Sequence, residues 1–240
     1  TGAIYTQEQL RSICKWGIEN QIHIVVNEIY ALSSIDVTNE VISKDYGEYG
    51  NTPFSSVLPI IEEEKSDYLH WIYSFSKDFG MSGFRVGVLY TRNETLISAV
   101  GNVGGPHEVS NQTQWTLMHL ISDTKWIDYY CSHIRARLTE SYALAVSTLK
   151  RLGIPYSASR GSLFIWMNLG GLLSGNDDET ELWHTVYQST KILLTAPGSF
   201  GNSEKGWLRM VFTCVDADEL TEALTRFSQF YETAVAAQKK

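Results

Sequence analysis

The chain has 240 residues, 43% of them hydrophobic and 19% charged, and a formal charge of −8 with its lysines and arginines scattered. Those values suit a folded protein of one large or two smaller domains, and they argue against wholesale disorder and against nucleic acid or an anionic membrane as the main partner. No apolar run is long enough to cross a bilayer, and the N-terminus lacks the shape of a signal peptide. Cys14, Cys131 and Cys214 lie far apart and outside any C-x-x-C pair, which reads as reduced thiols in an intracellular, cytoplasmic protein. The six histidines form no H-x-x-x-H or Cys/His cluster, so no metal site is expected.

Thr6-Gln-Glu-Gln9 has capping-box spacing, and Leu10, Ile13, Cys14, Gly17 and Ile18 then recur on one helical face. A short strand is expected from Ile22 to Val26, with Asn27-Glu28 at its carboxyl end. The stretch from Ser33 to Pro59 is rich in turn residues and reads as loop. Leu69–Phe75 and Val86–Thr91 read as two further strands, so this region fits part of a layered α/β domain. Beyond Gly105-Pro106 the pattern turns helical. Trp115, Met118 and Ile121 mark one helix, and a longer one runs from Trp126 to about Leu149, closed by Gly153 and Pro155. A strand at Leu163–Asn168, a helix near Glu179–Thr190, a strand at Trp207–Phe212 and a helix from Ala217 to about Ala236 complete the reading. The domain boundary is placed near 135–155. The abrupt start at Thr1-Gly2-Ala3-Ile4-Tyr5, with no lead-in before the first capped helix, reads as a cut.

The segment richest in chemistry is Ser74-Phe-Ser-Lys-Asp-Phe-Gly-Met-Ser-Gly-Phe-Arg85-Val-Gly. It leaves a hydrophobic strand and enters a loop with two glycines, Gly80 and Gly83, and open α/β sheets bind their ligands at the carboxyl ends of strands. Lys77 within a few residues of hydroxyls and a guanidinium suits an amine nucleophile beside an anion site. The same run also reads as a surface loop whose Lys77 pairs with Asp78. Local chemistry leaves both readings open.

The pattern S-x-S-K-x-x-G-x-x-G-x-R-x-G resembles the cofactor-lysine motif of the class I/II aminotransferases, which are fold type I pyridoxal-phosphate (PLP) enzymes. Its wording here, SFSKDFGMSGFRVG, is most similar to the 1-aminocyclopropane-1-carboxylate (ACC) synthase and ACC-synthase-like branch. Asn27-Glu-Ile-Tyr30 stands where that family has D-E-[IV]-Y, and Pro197-Gly-Ser-Phe200 with Gly206-Trp-Leu-Arg209 resembles its P-G-x-x-F…G-W-x-R. The resemblance runs over nearly the whole chain and implies an α/β fold. Residues 1–140 would form the second half of the large mixed-sheet domain, and 141–240 the smaller C-terminal α+β domain.

By that resemblance Lys77 would hold pyridoxal 5′-phosphate as a Schiff base and then move the substrate's α-proton. Ser74 and Arg85 would bind the cofactor phosphate, Tyr30 the ring oxygen, and Arg209 the α-carboxylate of an amino acid substrate. Ser76, Gly80 and Gly83 would shape the loop. For Arg209 a structural ion pair, and for Tyr30 a packed core ring, are the readings each residue would carry outside its motif. The reaction implied is ACC-synthase-like: α-deprotonation of S-adenosylmethionine, then loss of the sulfur group from the γ-carbon by ring closure or replacement. An ordinary aminotransferase is the alternative.

Two features depart from the family. Asn27 occupies the position of an aspartate that keeps the pyridine nitrogen protonated, and a neutral amide cannot stabilise that charge. Natural tuning, a deliberate inactivating change, or a PLP-binding relative without turnover would each account for it. The family's N-terminal half is missing, with its phosphate-binding glycines, its ring-stacking aromatic and the tyrosine donated across the dimer. A homodimer and that N-terminal half are the partners the resemblance implies.

Overall fold

The computed structural model describes residues 2–45, 53–174 and 178–238. They form two compact units, each built from more than one stretch of the chain, and the last passage between them is at residues 134–135.

The first unit comprises residues 4–34 and 53–134. Helix α1 (Gln7–Glu19) starts at the expected box, with the Thr6 side chain accepting from Gln9 N and the Gln9 side chain accepting from Thr6 N. Strands β1 (Ile24–Asn27), β2 (Leu69–Ser74) and β3 (Gly87–Thr91) form one sheet in the order β1-β2-β3. The β1–β2 pair is parallel, with Asn27 opposite Ile72, and β2–β3 is antiparallel, with Ser74 opposite Gly87. Leu10 and Cys14 of α1 pack with Val57, Ile60, Ile61 and Leu69 into a core under the sheet. Ile13, expected on the same face, is exposed. Ile22 is also outside the sheet, because its N–H closes onto the Gly17 carbonyl at the end of α1.

Helix α2 (Leu58–Glu64) begins inside the stretch read as loop. Pro59 lies in its first turn, where the missing N–H costs nothing. Strand β2 runs directly into the short helix α3 (Phe75–Asp78). Helix α4 (Glu94–Gly104), capped by Asn93, was not expected from the sequence. Helix α5 (Asn111–Ser122) forms as expected, yet Trp115, Met118 and Ile121 on it are exposed.

The second unit comprises residues 2–3, 35–45, 135–174 and 178–238. It contains the later turns of helix α6 (Thr124–Leu152), strands β4 (Tyr156–Ser157), β5 (Phe164–Asn168) and β6 (Trp207–Val211), and helices α7 (Glu179–Thr190) and α8 (Ala217–Gln238). The sheet is antiparallel in the order β4-β5-β6. Ile165, Met167, Leu208 and Met210 alternate inward, buried with Tyr142, Val146, Leu149 and Phe227. Gly206 enters β6 at φ +90°, where a Cβ would lie 2.3 Å from Gly170 N. Only glycine permits that approach. Among the described residues no helix is long and apolar enough to cross a membrane, and no group of three His, Cys, Asp or Glu side chains could hold a metal ion.

Candidate active site

In the first unit, parallel strands β1 and β2 bring their carboxyl ends to one edge, and the expected cofactor residues follow from it. Ser74 caps α3 by accepting from Ser76 N at 3.1 Å. Its hydroxyl also lies 2.9 Å from the Val86 carbonyl and 2.8 Å from Ser76 Oγ. Capping turns the chain sharply at the strand end and presents Lys77 outward. Its side chain is exposed, and among the described residues no hydrogen bond or ion pair reaches the ammonium. The surface-loop reading paired Lys77 with Asp78; the structure turns that carboxylate the other way.

Asp78 is buried, and its oxygens accept from Ser33 Oγ at 2.6 Å, Leu32 N at 3.0 Å and Tyr73 Oη at 3.0 Å. Burial pushes its pKa above the usual aspartate value, and these bonds pull it back. Burial, then the Asp78 carboxylate, raises the Tyr73 phenol well above its ordinary range. Behind α3, Phe79 stacks on Tyr130 and Tyr130 on Trp126, while Tyr130 Oη donates to the Asp78 carbonyl at 2.7 Å.

The turn after β1 carries the second motif. Asn27 is exposed and its Oδ1 accepts from Ile29 N at 3.1 Å, a local turn bond. Glu28 is buried and accepts from Ser56 Oγ, Val57 N and Trp71 Nε1 at 2.6–2.7 Å, which ties the turn to α2 and β2. Tyr30 is half-buried within the same turn. Arg85 takes a left-handed conformation at φ +56° just before β3 and donates from Nη1 to the Ser82 carbonyl at 2.9 Å. No hydrogen bond links it to Ser74 among the described residues, but the Ser74–Val86 contact fixes the two within one loop end.

In the second unit, Arg209 projects from β6. Its guanidinium carbon lies 4.2 Å from the Phe164 ring centre and 4.6 Å from that of Phe200, and Nε donates to Thr195 Oγ1 at 3.1 Å. A cavity of about 310 Å³ opens beside it, lined by Gly2, Ser162, Phe164, Trp166, Phe200 and Arg209. Among the described residues no carboxylate pairs with Arg209. Its two terminal nitrogens are thus left to meet a planar anion side-on.

The donor chemistry fits pyridoxal phosphate at two points and departs at a third. An unpaired amine suits the aldehyde, and hydroxyls with a guanidinium at the same strand end suit the phosphate. Asn27 offers a neutral amide where a pyridinium would want a carboxylate. Lys77, Ser74, Arg85, Asn27 and Tyr30 all belong to the first unit, and Arg209 to the second. Sequence reasoning missed the supporting residues Asp78, Glu28, Ser33 and Thr195. Asp78 and Glu28 sat inside the motifs, but nothing in their spacing says that both are buried.

Comparison with known proteins bears on these motifs. The profile of the family "Aminotransferase class I and II" matches residues 1–227. 1-Aminocyclopropane-1-carboxylate synthase 6 of Arabidopsis thaliana is 31% identical over 95% of this chain and 44% of its own length. A mouse protein named "Probable inactive 1-aminocyclopropane-1-carboxylate synthase-like protein 2" is 35% identical over 88% of this chain and 34% of its own length. A double mutant of Thermus thermophilus aspartate aminotransferase superposes with a TM-score of 0.78 at 18% identity, covering 95% of this chain and 53% of that one. The Thermus thermophilus α-aminoadipate aminotransferase LysN, solved with N-(5′-phosphopyridoxyl)-L-leucine, gives a TM-score of 0.75 at 17% identity over 96% and 55%. The chain thus spans about half the length, or less, of these relatives. Its fold is that of the fold type I aminotransferases. With three motifs in order and a profile match over almost its whole length, the chain belongs to the class I and II aminotransferase family of pyridoxal-phosphate enzymes.

Proposed function

We propose that the polypeptide carrying this chain is a pyridoxal-phosphate enzyme that acts on S-adenosylmethionine with ACC-synthase-like chemistry. The observation that carries this reading is Lys77, an exposed amine at the carboxyl edge of parallel strands that has no hydrogen bond or ion pair among the described residues, in the same loop region as Ser74 and Arg85. Similarity to several ACC synthases over most of the chain supports the substrate. The aminotransferase neighbours speak to the fold alone.

When bound, pyridoxal phosphate supplies a sink for the electron pair left as an amino acid loses its α-proton. Lys77 Nζ would be the amine that holds the cofactor aldehyde and would carry the substrate's α-proton. Ser74 Oγ and the Arg85 guanidinium would bind the phosphate, Tyr30 Oη would donate to the ring oxygen, and the two terminal nitrogens of Arg209 would take the substrate carboxylate. In family terms, residues 1–140 belong to the large domain and 141–240 to the small one. The partners we propose are a second copy of the chain and the N-terminal half of the same enzyme. Exposed apolar side chains on α4 and α5, such as Val103 at 74% and Trp115 at 62%, support a covering partner. The three cysteines are free thiols, in keeping with a cytoplasmic setting.

A second reading is a PLP-binding protein with weakened or lost turnover. It is favoured by neutral Asn27 and by the mouse relative whose name carries the word inactive. Incubating the whole enzyme with S-adenosylmethionine is the test. Methylthioadenosine is the expected product. A keto acid formed only with an amino acceptor would make it an aminotransferase, and no product from any amino acid would favour the second reading.

A further inference from the structure

Asp78 follows Lys77 in the chain yet has no role in the reading above. It is 2% exposed, and a carboxylate is costly to bury without a cation. Among the described residues no cation pairs with it; its three side-chain partners are the neutral donors Leu32 N, Ser33 Oγ and Tyr73 Oη. Their origin is informative. Leu32 and Ser33 end the turn that leaves β1 and carries Tyr30, while Tyr73 lies on β2 and Asp78 itself ends α3 with Lys77. The start of the turn is tied independently, by Glu28 to Ser56, Val57 and Trp71. Its far end has Asp78 as the side-chain anchor to α3. Both oxygens are used, so an apolar residue, or an amide with one acceptor, cannot bridge in the same way.

We propose that Asp78 is a positioning residue that locks the Tyr30 turn onto the Lys77 helix, so that phenol and amine address one cofactor ring at a fixed spacing. Tyr130 Oη, bonded to the Asp78 carbonyl, holds α3 from behind and makes the anchor rigid. The inference rests on Lys77 as the cofactor lysine and deepens it by naming what sets that lysine's geometry.

The test compares the whole enzyme with Asp78→Asn and Ser33→Ala. Each protein is measured for pyridoxal phosphate affinity, for the visible absorption of the bound cofactor, for borohydride trapping at Lys77 and for the melting temperature of the cofactor-free form. The amide introduced by Asp78→Asn would turn an N–H towards a donor, so affinity should fall about tenfold or more with a shifted absorption maximum. Ser33→Ala removes one of three bonds to a buried carboxylate, so the melting temperature of the cofactor-free form should fall by a few degrees, and cofactor affinity should fall about threefold with a shifted absorption maximum. Parental affinity and absorption in both variants would overturn the proposal. If Asp78→Asn fails to fold, Ser33→Ala decides alone, and parental values in it overturn the proposal. Failure of the parent itself to trap cofactor on Lys77 would sink the reading of that lysine, and this inference with it.

Discussion

Replacing Arg209 by lysine keeps a positive charge on β6 but removes the planar fork. In the parent, the guanidinium is sandwiched by Phe164 and Phe200 at 4.2 and 4.6 Å and steadied through Nε by Thr195. Lysine would keep the Coulomb attraction and one hydrogen bond to a carboxylate, and would lose the second of two parallel bonds. A hydrogen bond to a charged group contributes about 1.5–3 kcal/mol. Losing part of the stacking on two partly exposed rings adds about 0.5 kcal/mol. The sum, about 2–3.5 kcal/mol, corresponds to roughly 30- to 300-fold weaker carboxylate binding. The assay is the dissociation constant of an unreactive carboxylate analogue of the substrate, with KM measured alongside. Stability should fall by only about 1 kcal/mol, from the lost Thr195 bond and ring contacts, because no carboxylate among the described residues loses its partner. Affinity within about threefold of the parent would refute the reasoning and place the carboxylate elsewhere.

Three other outcomes are expected. Asn27→Asp restores a charge for a pyridinium and should raise the rate of α-proton exchange about tenfold or more; an unchanged rate would clear Asn27 as the cause of weak turnover. Gly206→Ala forces a Cβ to 2.3 Å from Gly170 N at φ +90° and should cost about 2–4 kcal/mol in urea unfolding, with a loss below about 0.5 kcal/mol contradicting the geometry. His70 is buried between His23, at 2.8 Å, and Thr91, at 2.7 Å, and burial, then His23, hold its pKa below the usual histidine value. The folded form then takes up its proton at lower pH than the unfolded chain, so this contribution is whole above about pH 6.5 and is lost as pH falls towards the lowered value. Urea midpoints measured from pH 8 to 5 should drop less steeply in His70→Gln than in the parent, and equal slopes would count against it.

Much of the fold was legible because periodicity reports burial. The apolar run over Leu163–Asn168 and the stretch from Glu179 to Thr190 each forecast an element within a residue or two. What stayed hidden had a physical cause in each case. Strand β4 is two residues long and carries no period. Helix α2 opens with Pro59, which looks like a loop breaker unless its place in the first turn is known. Helix α4 carries Gly101 and Gly104, which read as loop residues, and none of its residues is buried. The motifs named Lys77, Ser74, Arg85 and Arg209, since chemistry restricts the residue type at those places. The buried carboxylates Glu28 and Asp78 escaped because acidic residues in a sequence read as surface, and only coordinates show the donors gathered round them.

Every role proposed for these residues depends on where the cofactor is attached. The whole enzyme, loaded with pyridoxal phosphate and reduced with borohydride, should yield one pyridoxyl-bearing peptide, the one containing Ser74-Phe-Ser-Lys77-Asp, and Lys77→Ala should yield none. A modified peptide from any other lysine, or cofactor retained equally by Lys77→Ala after reduction, would contradict it.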